Sequence, residues 1–349
     1  MIMSSFVLSI DQIGLLLNIL YDQEETNFTL YSYLLGRDLF EISFDDKSFL
    51  KISILKNEYN NIINNFINLE NIIPPYKTIR DILIGSGILK VNNWTEIIKK
   101  FEDIKKADPL KGDRLTFIGF DTNCFMNRIY SILLNHFNKD IKKFGFVLSN
   151  LIIQELKFFN KISKSMIDRL NEQVKNKAEI FQEFWNQDTL NSRKRHIGRI
   201  EFNKIRKNSF TLFDSQIEKD DNEDMDLQII NNLKKQTHNK GYDLLLLSFD
   251  RQFYEHSRNP GIISYYLDVP TLDNLELKYE VSWEQLYDLI YLTSIYYGAI
   301  RLKASKSFKI FGIWRGKNTT EWDNECVKLE VESEKFSRMI KQQLNILNS

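Results

Sequence analysis

The sequence is poor in residues that characterise several protein classes. Its 349 residues include only two cysteines, five prolines and 13 glycines. Cys124 and Cys326 cannot build a disulfide framework, which favours an intracellular protein. The scarcity of proline and glycine excludes collagen-like and proline-rich linker architectures. The four histidines are scattered and form no zinc-type cluster with the cysteines.

Long hydrophobic runs are also missing. The longest apolar stretch, residues 289–302, is interrupted by Thr293, Ser294 and Arg301. It is shorter than the ~20 residues that cross a bilayer. The amino terminus has no basic region before its apolar residues and carries Asp11 early, so we expect no secretory signal. We therefore predict a soluble, cytoplasmic protein with no membrane partner.

Aromatic and aliphatic residues are abundant, by contrast. The chain is 43% hydrophobic and contains 25 Phe and 15 Tyr, which excludes intrinsic disorder. A chain of this length usually divides into two or three domains. We predict an amino-terminal mixed α/β domain (1–110), a central domain (111–275) with a charged insertion at about 185–222, and a carboxy-terminal α/β region (276–349).

The net charge is zero, from 47 basic and 47 acidic residues. Zero charge argues against a nucleic-acid partner only if the charges are evenly spread, because such binding relies on Lys and Arg. They are not evenly spread. Acids crowd residues 214–226, directly after a basic block in which Glu201 is the one acid. The block consists of Arg193, Lys194, Arg195, Arg199, Lys204, Arg206 and Lys207.

Strand and helix patterns alternate in the central region. Apolar runs predict strands at 115–120, 144–148, 244–249 and 262–267. Amphipathic patterns predict helices at 123–137, from 150 onward and at 224–237. This alternation predicts a largely parallel sheet covered on both faces. In the flanking regions we predict helices at 11–21 and 283–299, strands at 28–33, 49–55, 308–314 and 326–331, and a closing helix from 332.

Acidic residues follow two of the predicted strands. Asp121 comes directly after the run 115–120, and Asp250 ends the run 244–249. In an open α/β sheet, ligands bind outside the carboxyl ends of the strands, so both carboxylates are expected at one edge. A lone Asp after a strand is also explained as a helix N-cap. No Gly-rich phosphate loop or Gly-x-Ser-x-Gly motif offers another chemistry.

Two further acids come from predicted helices. Glu155 stands among apolar neighbours near the start of the helix from 150, and Asp226 lies on the first turn of the next one. Stabilisation by the helix dipole is an alternative explanation for both. Asp224 lies two positions before Asp226, a spacing that does not put both side chains on one helix face. Only one of the pair is therefore a good primary metal ligand.

Four short motifs in order carry a family resemblance. They are Phe-Ile-Gly-Phe-Asp-Thr-Asn (117–123), Asn-Leu-Ile-Ile-Gln-Glu-Leu (150–156), Asp-Leu-Gln-Ile-Ile (226–230) and Leu-Ser-Phe-Asp (247–250) followed by Phe253. Together they resemble the PIN-domain nucleases over about residues 113–270. The resemblance implies an α/β/α domain with a central parallel sheet, an acidic pocket that binds Mg²⁺ or Mn²⁺, and hydrolysis of phosphodiester bonds, most often in RNA.

The resemblance also assigns residues. Its metal-binding acids map onto Asp121, Glu155, Asp226 and Asp250, and Asp226 is preferred to Asp224 because two isoleucines follow it as in the family. The family's small polar residue maps onto Thr122 or Asn123, which orients either the attacking water or a phosphate oxygen, or else makes a helix-start hydrogen bond.

The chemistry gives a reason for such a cluster. Crowded carboxylates raise one another's pKa unless a hard, oxygen-preferring cation compensates them. A divalent cation can then activate water for in-line attack on phosphorus, without a protein nucleophile. We therefore predict a Mg²⁺- or Mn²⁺-dependent endoribonuclease. Two alternatives stay open, a non-catalytic nucleic-acid-binding or scaffold protein with the same fold and a structure-specific DNA nuclease.

The insertion and the carboxy-terminal region are predicted to choose partners. The basic block would neutralise phosphates beside the acidic site. Phe202, Phe210 and Phe213 either stack on bases or form the core side of a solvated helix. The run 308–317 forms either an RNA- or partner-binding β surface or a hairpin packed on the last helix. A homo-oligomer or a protein partner would bind through the terminal regions.

Overall fold

The structure is a computed structural model and describes residues 4–44, 47–174, 177–208, 210–215, 223–258 and 261–347. Residues 216–222 of the acidic segment lie outside these ranges. The chain divides into two compact units. Unit 1 comprises residues 1–88, 159–193 and 272–349, and unit 2 comprises residues 89–158 and 194–271. In the described ranges, no helix is long and apolar enough to cross a membrane.

The described residues form both strands and helices. The strands are β1 Ser4–Leu8, β2 Asn27–Ser32, β3 Arg37–Phe44, β4 Ser48–Ile52, β5 Thr116–Phe120, β6 Gly145–Ser149, β7 Thr211–Asp214, β8 Asp243–Ser248, β9 Ile262–Tyr266, β10 Lys278–Glu280, β11 Ala299–Lys303, β12 Ser307–Phe311 and β13 Val327–Val331. The α-helices are α1 Ile10–Asp22, α2 Lys56–Ile63, α3 Lys77–Gly85, α4 Trp94–Lys106, α5 Thr122–Met126, α6 Ile129–Phe137, α7 Asn150–Glu155, α8 Lys164–Gln173, α9 Ala178–Gln182, α10 Leu190–Arg206, α11 Met225–His238, α12 Arg251–Ser257, α13 Trp283–Tyr297, α14 Thr319–Asp323 and α15 Glu334–Leu347.

Unit 1 is organised around an eight-stranded sheet in the order β1-β13-β12-β11-β2-β3-β4-β10. Every neighbouring pair is antiparallel. The sheet joins strands from the start of the chain to strands from its end, so the predicted amino- and carboxy-terminal regions share one sheet. The mixed α/β class predicted for these regions is confirmed.

Helix α13 runs through the core of unit 1. Most of its side chains are buried, as expected of a helix that is apolar on nearly all sides. The prediction extended this helix to Ala299, but it ends at Tyr297, and Ala299 begins β11. Gly298 explains the stop: its φ of 76° suits glycine, and a Cβ there would lie 2.6 Å from a Phe184 ring carbon.

Unit 2 contains a five-stranded sheet in the order β7-β6-β5-β8-β9. All of its pairings are parallel. The prediction of a largely parallel central sheet is therefore confirmed, with β5, β6, β8 and β9 where apolar runs predicted strands. The prediction missed β7, a four-residue strand inside the charged insertion, because it is too short to show a period.

Helices cover both faces of this sheet. On one face, Phe120 and Phe146 pack against Phe125 of α5 and Tyr130 of α6. The opposite face of β5 carries Gly119, where an added Cβ would lie 2.7 Å from Leu246 and 3.2 Å from Leu233 of α11. Glycine at this position thus lets α11 approach the sheet closely.

Two predicted helices of unit 2 are shorter than expected. The predicted helix 123–137 is split into α5 and α6, because Arg128 adopts the left-handed conformation with φ 58° and breaks the helical turn. The predicted long helix from Asn150 ends with α7 at Glu155, and the next helix starts at Lys164. Both α5 and α7 are short helices that start directly after strands.

Candidate functional site

The predicted site residues occupy one edge of the parallel sheet of unit 2. From β5 the chain adds β6 and β7 on one side and then returns to place β8 on the other side of β5. Such a reversal of strand order leaves a crevice at the carboxyl ends of the two strands. Asp121 directly follows β5, and Asp250 lies two residues after the end of β8. Both carboxylates therefore flank the reversal point.

A cleft of about 290 Å³ lies at this edge. It is lined by Asp121, Thr122, Asn123, Met126, Glu155, Arg195, Asp226, Ile229, Asp250 and Phe253. The four acids implied by the family resemblance are thus brought to one cavity, together with both small polar candidates. Asp224 is not part of this lining.

Asp121 is the most deeply buried of the four acids, at 2% exposure. Its Oδ1 accepts a hydrogen bond from the Cys124 amide at 2.6 Å and caps α5. Its Oδ2 accepts from the Ser248 hydroxyl and from the amides of Phe249 at 3.1 Å and Asp250 at 3.3 Å. These contacts fasten the end of β5 to the end of β8 and leave one lone-pair direction on Oδ1.

The N-cap alternative holds for both strand-end acids, Asp121 and Asp250, and Asp224 also caps a helix. The Asp250 Oδ1 accepts from the amides of Gln252 and Phe253 at the start of α12. The Asp224 Oδ1 accepts from the amides of Asp226 and Leu227 at the start of α11. Asp250 nevertheless lines the cleft, so capping does not remove it from the candidate site.

Asp226 differs from its neighbours in having no such bonds. Among the described residues its carboxylate has no hydrogen-bond partner, although it lines the cleft. Its pKa is raised to about 6, first by burial and then by the negative charges of four other acids: Asp224, Asp250, Glu155 and Asp121. The cleft carboxylates are therefore close enough to repel one another.

Glu155 is held by a neighbour from the first motif. The Thr122 hydroxyl donates to its Oε2, which joins the start of α5 to the end of α7. Asn123 lines the cleft beside Thr122, and its backbone carbonyl accepts from the Asn127 side-chain amide. The hydrogen bond of Thr122 thus orients a carboxylate of the candidate site.

The donor set fits a hard divalent cation in its chemistry. It offers only oxygen ligands, and their mutual repulsion is the kind that Mg²⁺ or Mn²⁺ relieves. Within the described ranges, no three or more His, Cys, Asp or Glu side chains already form a group that could hold a metal ion.

Arg193 of the basic block is not at the surface. It is 1% exposed, and its guanidinium donates to the carbonyls of Ile295 at 2.8 Å, Tyr296 at 3.0 Å and Ile72 at 3.4 Å. These carbonyls include the last turn of α13, so Arg193 completes the core of unit 1. This burial removes it from the predicted phosphate-binding set.

The other members of the block belong to α10 and the turn after it. Lys204 binds the buried Glu201 at 3.0 Å. Arg206 is exposed and lies over the Phe213 ring, Lys207 is exposed, and Lys194 and Arg199 are half-buried. Only Arg195 lines the acidic cleft. The cationic side chains therefore have different roles and do not form a single patch.

The aromatics of the insertion form part of the core. Phe202 is buried and packs against Phe125 and Phe213, and Phe210 packs against Phe117. This burial favours the core interpretation of these rings over base stacking. Cys124 is likewise a buried free thiol, as expected for a packing residue.

The carboxy-terminal run 308–317 ends in a buried lysine. Lys317 is buried between Trp314 and Trp322, and its Nζ donates to the carbonyls of Gly312 at 2.7 Å and Cys326 at 2.8 Å. Burial lowers its pKa to about 7. Lys317 therefore stabilises the turn after β12 and is unavailable to a partner.

Sequence reasoning missed one residue of the site. Ser248 donates to Asp121 and accepts from the Asp250 amide at 2.8 Å, so it connects the two strand-end acids. A signal was present, because Ser248 is the single polar interruption of the apolar strand that precedes Asp250.

A scan against protein-family models, a search of curated proteins and a search of solved structures each found no match to this chain.

Proposed function

We propose that unit 2 is a metal-dependent nuclease of the PIN-domain type, an endoribonuclease that hydrolyses phosphodiester bonds. One observation carries the proposal: four carboxylates line one cleft at the strand-order reversal of a parallel sheet, and their charges help to raise the pKa of Asp226 to about 6. Crowded like charges destabilise the folded protein. A cluster of carboxylates in a cleft is therefore a sign of a functional site.

The metal ligands in this proposal are Asp121, Glu155, Asp226 and Asp250. When bound there, Mg²⁺ or Mn²⁺ would supply charge stabilisation and water activation for in-line attack at phosphorus. The Thr122 hydroxyl holds the Glu155 carboxylate, and four donors hold Asp121, so the site is oriented before substrate binds. A carboxylate oxygen of the cleft that does not bind the cation would accept the proton that the attacking water releases.

Arg195 supplies the positive charge of the cleft. It lines the same cavity as the four acids, and a guanidinium binds phosphate oxygens through two N–H groups at once. In the proposal Arg195 positions the phosphate, and the carboxylates position the cation. We also propose a cytoplasmic location, which the two free cysteines support.

Cleavage of a labelled single-stranded RNA in Mg²⁺ or Mn²⁺ tests the proposal. Asp121→Asn, Asp226→Asn and Asp250→Asn should each lower the rate by at least about 100-fold, because each removes a charge that stabilises the metal. Asp243→Asn is the matched control, since Asp243 begins β8 at the opposite edge of the sheet. Thermal unfolding of each variant checks that the fold is retained.

Three outcomes separate the alternatives. Unchanged cleavage by Asp121→Asn and Asp250→Asn would contradict the proposal. RNA binding without cleavage across titrations of both metals would favour the non-catalytic scaffold. Faster cleavage of flap DNA than of single-stranded RNA would favour the structure-specific DNA nuclease.

A further inference from the structure

An exposed aromatic side chain lies beside the cleft arginine. Phe158 is 68% exposed, whereas aromatics of the four motifs, such as Phe117, Phe120 and Phe253, are buried. Its carbonyl accepts from the Arg195 Nη1 at 2.7 Å, and the Arg195 Cζ lies 5.9 Å from the centre of its ring. Phe158 is therefore attached, through Arg195, to the wall of the acidic cleft.

Arg195 lines the acidic cleft without pairing with a cleft carboxylate. It lines a cavity with four carboxylates, yet in the described part of the chain it forms no ion pair with any of them. Its contacts are the carbonyl and the ring of Phe158. A guanidinium has five N–H donors, so most of them are free to bind an anion. The geometry holds a cation ready beside an exposed aromatic ring.

We infer that Phe158 and Arg195 form a subsite for one nucleotide, in which Phe158 stacks on the base and Arg195 binds its phosphate. Aromatic rings and arginines are the side chains that bind unpaired nucleotides without sequence preference. A base inside a duplex is already stacked on both sides and cannot lie on Phe158. The subsite therefore selects single-stranded nucleic acid as the substrate class of the cleft. This inference rests on the proposed function for its location, but its binding step needs no cleavage.

Fluorescence anisotropy of a labelled ten-nucleotide RNA tests the subsite. The measurements use the full chain carrying Asp226→Asn, so that the strand stays intact. Adding Phe158→Ala should weaken single-strand binding about tenfold, the size of one base–aromatic stack. Adding Phe158→Tyr should change binding less than about twofold, since the ring remains. Leu110→Ala is the matched control, because Leu110 is an exposed apolar residue of unit 2 that precedes the amino end of β5.

A strand of the same length made only of abasic sites keeps the phosphates but has no bases to stack. Binding to this strand distinguishes the loss of base stacking from structural damage to the protein. Phe158→Ala should leave abasic binding unchanged, whereas Arg195→Gln should weaken both strands and lower the salt dependence by about one phosphate contact. The inference is overturned if Phe158→Ala binds the normal strand as tightly as its parent. It is also overturned if the variant loses the normal and abasic strands equally.

The subsite and the proposed function fail in different ways. Base-dependent binding at Phe158 by a protein that cleaves nothing would support the subsite and contradict the nuclease. Cleavage that depends on the four carboxylates, with no effect of Phe158→Ala on binding, would support the nuclease and overturn the subsite.

Discussion

Arg193 in unit 1 and Asp121 in unit 2 are both almost completely buried, at 1% and 2% exposure. Arg193 donates to three backbone carbonyls; burial lowers its pKa to about 9, and the charge of Asp188 opposes that shift. Asp121 is equally well bonded, but it is one of the carboxylates that together raise the pKa of Asp226. Both groups form several hydrogen bonds, but only Asp121 belongs to a cluster of like charges.

The difference shows which buried charges indicate a site. A buried charge with complementary partners is accounted for by the fold itself. A group of like charges at the carboxyl edge of a parallel sheet destabilises the fold until an ion or substrate compensates it. Removing a well-partnered buried charge is therefore expected to destabilise the protein, whereas removing one of the crowded carboxylates is expected to stabilise it.

The largest effect is expected at Arg193. Arg193→Met should lower the free energy of unfolding by about 3–5 kcal/mol, because three buried carbonyls lose their donor. Urea denaturation measures the change. Arg338→Met is the matched control: this arginine is 71% exposed and pairs with Glu334 across one helical turn, so its loss should cost less than about 0.5 kcal/mol. An equal loss of unfolding free energy in the two variants would show that the buried hydrogen bonds of Arg193 add no stability.

Metal binding should stabilise unit 2 by mass action. A cation at 100 times its dissociation constant would raise the unfolding free energy by about 2.7 kcal/mol. We expect Mn²⁺ to raise the melting temperature of the natural protein and of Asp243→Asn, and to raise that of Asp226→Asn much less. Identical shifts in all three proteins would place the cation elsewhere.

Glu201 is the acid of unit 2 that should behave like Arg193. It is fully buried and accepts from the Ser131 amide at 2.8 Å, the Ser131 hydroxyl at 2.5 Å and Lys204 at 3.0 Å. Burial raises its pKa, but the charges of Lys204 and Arg128 and these hydrogen bonds outweigh burial, so the pKa lies below its ordinary value.

Glu201→Gln should therefore destabilise the protein by about 2 kcal/mol at pH 7. Because the folded pKa is lowered, this stability is present above the unfolded pKa of 4.5 and is lost as the pH falls through the folded value. Chemical denaturation at pH 7 and below pH 4.5 measures the loss. A variant as stable as the natural protein at pH 7 would contradict this role.

Of the stability changes predicted for the buried and cleft charges, that of Asp226→Asn should be the smallest. This variant should raise the free energy of unfolding, whereas the others lower it. The pKa of Asp226 is about 6 in the folded protein against 3.8 for the free group, so the unfolded chain releases its proton first and stability falls as the pH rises through that window. The asparagine side chain of the variant does not titrate. Without metal, the variant should gain ~1 kcal/mol over the natural protein between pH 4 and pH 7, a value reduced for solvent screening of a half-buried group. Parallel stability curves would show that folding does not raise the pKa of Asp226.

Local patterns predicted the parts of unit 2 that carry the site. Apolar runs followed by an acid predicted β5 and β8 with Asp121 and Asp250 at their ends, because a buried strand and its terminating polar residue are adjacent in sequence. The position of Asp226 on the first turn of α11 could also be predicted, because the acid and the apolar residues of that helix are adjacent in sequence. The hydrogen bond from Ser248 could not, since it joins side chains 127 positions apart.

Features that depend on distant partners were missed. β1 pairs with β13 across almost the whole chain, and no local period reports that pairing. Arg193 reads as a surface cation within its basic block, and only the carbonyls at the end of α13 explain its burial. The positive φ of Arg128 also escaped prediction, because the surrounding sequence has continuous helical periodicity.

The central claim is that the four carboxylates form one divalent-cation site. Anomalous diffraction from crystals of the full chain soaked in Mn²⁺ tests it most directly. We expect manganese in the cleft, with carboxylate oxygens of Asp121, Glu155, Asp226 and Asp250 converging on it at about 2.0–2.6 Å. Carboxylates that remain apart, with no manganese in the cleft at saturating concentration, would contradict the claim.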